Sequence, residues 1–357
     1  MKIIQITPKL PPAIDGIGDY SLELAEGLFK SYGIATHFLT LKHQAHLKQL
    51  SHFSVSEISA QSSQAFLAAL PKNVDAIILH YSDFPYDQKY ASPVWLLNGL
   101  IAAKQRKIKL ILMLHEFPFA PTFTKKLYLF PFQSYVAWRL AEIVDIVLTN
   151  NSAFKNALEK RLHHSVTSIP VFSNIGEPQN ITPLEQRNRR LLVFGTPARR
   201  ARIYQKSLAF LSRVCQTLNI EEIYDLGDSL NLPAEVNGVR LVEMGRQPAA
   251  TISELMLNSF AGIAYSNNNK KLAKSGVFAS YCAHGLLPII TRGESNLTDG
   301  IIANKHFFFP DEQAEIYPNV LKDIAKNAHE WYNNHNKSKT VDIFATQLLA
   351  IKQVALI

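Results

Sequence analysis

Three stretches of this chain bring together residue types that bind anions and polar hydroxyls. The first is Asp15-Gly16-Ile17-Gly18-Asp19-Tyr20-Ser21, just ahead of an amphipathic run. Its two glycines let the backbone approach a ligand without a Cβ in the way, and the free N–H groups of a first helical turn favour an anion or a polar hydroxyl. The second follows Leu192-Val193-Phe194-Gly195-Thr196, where Arg199, Arg200, Arg202 and Lys206 crowd a helix start. A helix N-terminus prefers anions, so cations gathered there read either as a solvated basic helix start or as a cluster that meets a phosphate-bearing ligand. The third is Lys274-Ser275-Gly276, at another helix start, where a hydroxyl and free N–H groups suit phosphate oxygens. Ser275 equally makes an ordinary N-cap, and Asp19 either binds ligand hydroxyls or caps the first helix. Between these stretches His115 closes the apolar run Leu110-Ile111-Leu112-Met113-Leu114 and is followed by Glu116. That is the carboxyl end of a strand, where open α/β sheets place their chemistry.

These residues need a scaffold of strands that end beside helix starts, and the pattern of the chain supplies one. Short β-branched runs alternate with longer helical patterns, which implies parallel sheets with helices on both faces. The first series of strands is read at Ile3 to Thr7, Thr36 to Leu41, Ala76 to Tyr81, Leu110 to His115, Ile146 to Asn150 and Val166 to Val171. A polar, Pro-bearing passage follows, with Pro178, Pro183 and the basic run Arg187, Arg189 and Arg190. It sets a domain of residues 1–175, a linker of 176–190 and a second domain of 191–335. The second series of strands is read at Leu191 to Gly195, Glu222 to Leu226, Val239 to Met244, Ala261 to Ser266 and Leu287 to Thr291, before two terminal helical patterns. Two doubly wound domains in one chain normally place ligands at the carboxyl ends of their strands, so a cleft between them is the expected site.

Composition excludes several classes. The chain has 357 residues, 47% of them hydrophobic, which is enough for two real cores. No apolar run approaches the length of a membrane span and no signal-peptide pattern opens the sequence, so the expectation is a cytoplasmic protein. The two cysteines, Cys215 and Cys282, stand far apart without metal-ligand spacing, which points to core thiols and no metal site. A formal charge of +8 favours anionic partners such as nucleotides, phosphates or acidic membrane surfaces. Nucleic acid is not indicated, because no nucleic-acid-binding motif accompanies the charge. The Gly-x-Gly turn also lacks the third glycine of a dinucleotide fingerprint.

The loop Pro11-Pro12-x-x-Asp15-Gly16-x-Gly18-Asp19-Tyr20-Ser21 with Leu24-Ala25-x-x-Leu28 resembles the acceptor-side loop and first helix of GT-B glycosyltransferases of the group 1, or retaining family 4, type. The segment Ser275 to Thr291 is similar to that family's donor-site helix and following strand, with Gly285 as the helix stop and Pro288-Ile289-Ile290 as the strand. The resemblance continues through Thr298-Asp299-Gly300 and Phe309-Pro310 and spans the whole chain. It implies two Rossmann-like doubly wound domains facing a cleft, with residues 336–357 as a helix returning to the first domain. It implies retaining transfer of a sugar from a nucleotide-diphosphate sugar to a glycan or lipid-linked acceptor, with no required cofactor or metal.

By the same resemblance, Arg200 and Lys206, with Arg202 beside them and Gly195 before them, hold the diphosphate. His115 faces the transferred sugar, and Gly16, Gly18 and Asp19 form the acceptor side. Lys274, Ser275 and Gly276 meet the donor. The aromatic stretch Phe117 to Phe132, with Lys125 and Lys126 inside it, reads either as core packing or as a lid in peripheral contact with a membrane. One departure stands out. Where the family carries two glutamates that hold the donor sugar and the ribose, this chain has Leu272 and Ser280, and leucine has no acceptor to give a diol. Glu294 is a nearby substitute acceptor or an ordinary solvated loop glutamate. A catalytically lapsed GT-B protein that binds or scaffolds is therefore the alternative reading.

Overall fold

The computed structural model describes residues 1–11, 13, 15–41, 53–82, 86, 93–117, 130–163, 165–266, 269–292, 298–310 and 317–354. The chain divides into two compact units, residues 1–169 with 337–357, and residues 170–336.

In the first unit the described strands form one parallel sheet. They are β1 (Lys2–Thr7), β2 (Ala35–Thr40), β3 (Ser54–Glu57), β4 (Ala76–Tyr81), β5 (Lys109–Leu114), β6 (Ile146–Thr149) and β7 (Thr167–Ser168), in the order β3-β2-β1-β4-β5-β6-β7. Every residue of β4 is buried, as a central parallel strand covered on both faces requires. Ile4, Ile77, Leu112 and Val147 carry the core from strand to strand. Helix α1 (Gly16–Tyr32) follows β1. The Asp15 carboxylate accepts from Ile17 N–H at 3.2 Å, and Gly33, at φ 64°, ends the helix by donating to the Leu28 and Phe29 carbonyls. The expected alternative of Asp19 as cap is thereby corrected: the cap lies four residues earlier, and Asp19 sits inside the helix. Helix α11 (Lys337–Val354) lies against α1, held by Lys337 Nζ to Glu23 at 2.7 Å and by Tyr32 Oη donating to Asp342 at 2.8 Å.

The second unit repeats the design. Its sheet runs β10 (Glu235–Val236), β11 (Val239–Gly245), β9 (Glu222–Leu226), β8 (Asn188–Phe194), β12 (Ser259–Ala264) and β13 (Leu287–Ile290), parallel except for the β10 hairpin edge. Leu191, Ile223, Ile263 and Ile289 form its core. Helix α6 (Pro197–Lys206) follows β8, and α9 (Gly276–Ala283) precedes β13. Ser275 caps α9 by accepting from Phe278 N–H at 3.3 Å, and Gly285, at φ 61°, turns the chain out of it. Cys215 and Cys282 are both buried free thiols.

Among the parallel strands of each sheet the order reverses once, between β1 and β4 in the first and between β8 and β12 in the second. Both units are Rossmann-like, and ligands of such sheets bind outside the carboxyl ends of the strands at that reversal. Strands β3 and β10 were not read from the sequence. Both are short, and β3, Ser54-Val55-Ser56-Glu57, is polar and at the sheet edge. Among the described residues no helix is long and apolar enough to cross a membrane.

Candidate functional site

At the reversal of the first sheet, the loop after β1, the start of α1 and the end of β5 supply the polar groups. Gly16 is exposed, and a Cβ there would meet nothing within 4 Å. Gly18 is buried, and a Cβ there would stand 2.3 Å from the Lys9 carbonyl oxygen, so its lack of a side chain is a packing demand. Asp19 is half-buried. Desolvation first, then the nearby Asp15 and Glu23 carboxylates, push its pKa up to about 6.

His115 follows β5 and is 7% exposed. Its backbone N–H donates to the Tyr81 carbonyl at 2.9 Å, and its own carbonyl accepts from Asn150 Nδ2 at 3.4 Å. Its ring lies in a buried polar chain that sequence reading passed over. Nε2 of His115 is 3.2 Å from Nδ1 of His80, and Nε2 of His80 is 2.8 Å from Oε1 of Gln5. Gln5 and His80 have no exposed surface. Burial, and then the adjacent His115, hold the His80 pKa well below its ordinary value, so that ring is neutral. Tyr20, one residue after Asp19, sets its ring edge-on against both imidazoles, with centroids 5.1 Å from His115 and 5.9 Å from His80.

At the reversal of the second sheet lies a cavity of about 250 Å³. It is lined by Arg199 and Arg202 from α6, by Ala264, Tyr265 and Ser266 at the end of β12, and by Lys271, Leu272 and Ser275 ahead of α9. The Arg202 guanidinium stands 5.6 Å from the centre of the Tyr265 ring. Gly195, at φ 132°, makes the turn from β8 into α6, a conformation that disfavours a side chain. Cations, a polar strand end and a hydroxyl at a capped helix start are groups whose chemistry suits phosphate oxygens.

The four cations after Gly195 do not act alike. Arg200 has no exposed surface. Its guanidinium pairs with the Asp225 carboxylate and donates to the carbonyls of Gly195 at 3.1 Å and Asp228 at 2.5 Å. Lys206 is exposed at the far end of α6 and does not line the cavity. Arg199 and Arg202 do line it. The helical period held the signal: Ile203 and Tyr204 are the buried residues of α6, and Arg200 precedes them by one turn, on their face.

Leu272, at the position of one missing family glutamate, lines the cavity and is 3% exposed. Ser280, at the other, is buried; its hydroxyl donates to the Gly276 carbonyl at 2.8 Å and lies 3.1 Å from Ser173 Oγ. Lys274 and Gly276 are half-buried beside Ser275 and are not cavity-lining residues. Glu294, and residues 118–129 of the aromatic stretch, lie outside the described residues. Phe117 is buried against Trp138 and Phe154, whereas Phe132 is exposed. Among the described residues no group of His, Cys, Asp and Glu has the arrangement of a metal site.

No family model and no curated protein matches the chain. Solved structures do, over nearly its whole length. HepE of Anabaena, solved with UDP and glucose, is 14% identical with a TM-score of 0.63, covering 98% of this chain and 99% of its own. Sucrose-phosphate synthase of Thermosynechococcus elongatus is 12% identical with a TM-score of 0.63, covering 99% of each chain. WaaG, a glycosyltransferase of lipopolysaccharide biosynthesis, is 10% identical with a TM-score of 0.58, covering 97% of this chain and 99% of its own. The fold is GT-B. At this level of identity the likeness is one of architecture, and the two Rossmann-like domains expected from the sequence are what it shares. The GT-B chain described here thus carries two polar clusters, one in each unit, each at its sheet's point of reversal.

Proposed function

We propose that this chain is a glycosyltransferase that moves a sugar from a nucleotide-diphosphate sugar to an acceptor hydroxyl, with retention of configuration. The observation that carries the reading is the cationic cavity at the reversal of the second sheet. As the glycosidic bond to the leaving nucleotide breaks, negative charge grows on the diphosphate, and fixed cations stabilise that charge more than they stabilise the ground state. Arg199, Arg202 and Lys271 are the side chains assigned to it, with Ser275 and the free N–H groups of α9 beside them. Arg200 is given a structural part, holding the turn after Gly195 through Asp225 and two carbonyls.

In the first unit, Gly16, Gly18 and Asp19 are assigned to the acceptor side and His115 to the transferred sugar. A glycan or a lipid-linked acceptor fits this reading, the latter with the exposed Phe132 near a membrane surface. The UDP held by HepE makes UDP the first nucleotide and UDP-glucose the first donor to try.

Leu272 favours a second reading. An apolar side chain in the cavity, where the resembling family has a carboxylate, is what a lapsed transferase that binds nucleotides without turnover would show. Calorimetric titration with UDP, GDP, ADP and their sugar conjugates, together with a turnover assay, separates the two. Binding with turnover supports the transferase, and binding without turnover supports the lapsed protein. No binding at millimolar nucleotide defeats the transferase and favours the lapsed protein as a scaffold, to be sought with protein partners.

A further inference from the structure

We infer that Gln5 and His80 are positioning residues that fix His115 as the tautomer with hydrogen on Nε2, which makes its Nδ1 a hydrogen-bond acceptor. The inference deepens the proposed function, on which it rests only in naming the sugar as the ligand of His115. Three strands bring the residues together. In the register of the sheet, Gln5 of β1 lies opposite Ile78 of β4, and His80 of β4 lies opposite Met113 of β5, two residues before His115.

The chain of donors ends at Thr36 on β2, whose hydroxyl oxygen accepts. Gln5 Nε2 donates to Thr36 Oγ1 at 3.5 Å, which leaves the amide oxygen toward His80. An amide oxygen only accepts, so the hydrogen between Gln5 and His80 belongs to His80 Nε2. A neutral imidazole carries one hydrogen, and His80 has used its own, so its Nδ1 accepts. The partner of that atom, at 3.2 Å, is Nε2 of His115, which must donate. His115 therefore carries hydrogen on Nε2, and in its neutral form the lone pair lies on Nδ1. Tyr20, packed edge-on against both rings, holds them in the planes that this exchange needs.

A ligand meeting Nδ1 of His115 must bring a donor. A sugar hydroxyl qualifies, whereas a phosphate or carbonyl oxygen, having only lone pairs, does not. The buried relay thus selects a hydroxyl at this ring and turns away the phosphate oxygens for which the second unit is built. Replacing Gln5 by glutamate should reverse the relay. A buried carboxylate beside His80 favours the imidazolium, whose Nδ1–H then donates to His115 Nε2 and leaves the hydrogen of His115 on Nδ1.

The test is nitrogen NMR of the full chain with 15N-labelled histidine, reading which ring nitrogen of each imidazole bears hydrogen, with the His115 signals assigned by their loss in His115→Asn. The expected result is His115 as the Nε2–H form in the wild type and as the Nδ1–H form in Gln5→Glu. A wild-type spectrum with hydrogen on Nδ1 of His115, or averaged between the two nitrogens, overturns the inference, as does a folded Gln5→Glu whose His115 is unchanged. If Gln5→Glu does not fold, the wild-type spectrum decides. A role confined to packing would set no tautomer, and since no substrate is used, failure of the relay is told apart from failure of the transferase reading.

Discussion

Arg200 and Asp225 form an ion pair with almost no exposed surface, and Tyr204 Oη donates to the second carboxylate oxygen at 2.9 Å. The pair joins the start of α6 to the end of β9, and through the Gly195 and Asp228 carbonyls it also fixes the two turns beside it. Removing one partner leaves the other charged and buried, so Arg200→Ala should cost about 3–5 kcal/mol of stability. Urea denaturation of the purified variant checks this. A variant as stable as the wild type would show that the guanidinium is not the tie described here.

Arg199→Ala and Arg202→Ala should behave in the opposite way. Both side chains are exposed at the cavity, so their loss should leave the denaturation midpoint unchanged. Each charge-assisted hydrogen bond to a diphosphate contributes about 1.5–3 kcal/mol, so nucleotide-diphosphate binding should weaken by roughly tenfold or more in either variant. Calorimetry with the nucleotide that binds wild type reads the effect directly. Unchanged affinity in both variants would move the diphosphate away from this cavity.

The contrast among these arginines shows where sequence reading succeeded and where it stopped. The strand–glycine–helix units at Gly16 and Gly195 were legible, because a buried parallel strand, a turn and an amphipathic helix each leave a local pattern. The two doubly wound domains followed from their repetition. Which arginine faces inward was written in the spacing of Arg200 from Ile203 and Tyr204, but it needs the core face of α6 to be chosen first. The Gln5–His80–His115 chain was not legible at all. Gln5 and His80 are lone polar residues in otherwise apolar strands, and only the pairing of β1 with β4 and β4 with β5 joins them across 110 positions of sequence. Edge strand β3 escaped for the reverse reason, since it buries too little to alternate.

The two glycines of the first loop should separate on substitution. Gly18→Ala drives a methyl into the Lys9 carbonyl and should destabilise the first unit by about 1–3 kcal/mol. Gly16→Ala meets no atom and replaces a flexible residue at the first position of α1, so it should stabilise by about 0.4–1 kcal/mol. If an acceptor approaches the backbone here, Gly16→Ala should raise the acceptor KM and leave nucleotide binding as it was. Equal acceptor KM in wild type and Gly16→Ala would remove the acceptor from this loop.

Asp19 gives the chain a pH signature whose sign is unusual for a carboxylate. Its folded-state pKa is raised to about 6, above the unfolded value, so the native state holds the proton more tightly. Stability linked to this group is therefore fully present below about pH 4 and is lost as pH rises to about 6, beyond which the ionised carboxylate bears its desolvation and the repulsion of Asp15 and Glu23. Asp15, also raised chiefly by burial, slopes the same way, so the informative quantity is the difference between wild type and Asp19→Asn. The amide cannot ionise. Since Asp19 is partly open to solvent, screening should leave Asp19→Asn about 1 kcal/mol more stable than wild type at pH 7.5, with the gain gone at pH 4. Urea midpoints at the two pH values measure it. A gain of the same size at both would assign the effect to packing at position 19 and not to its charge.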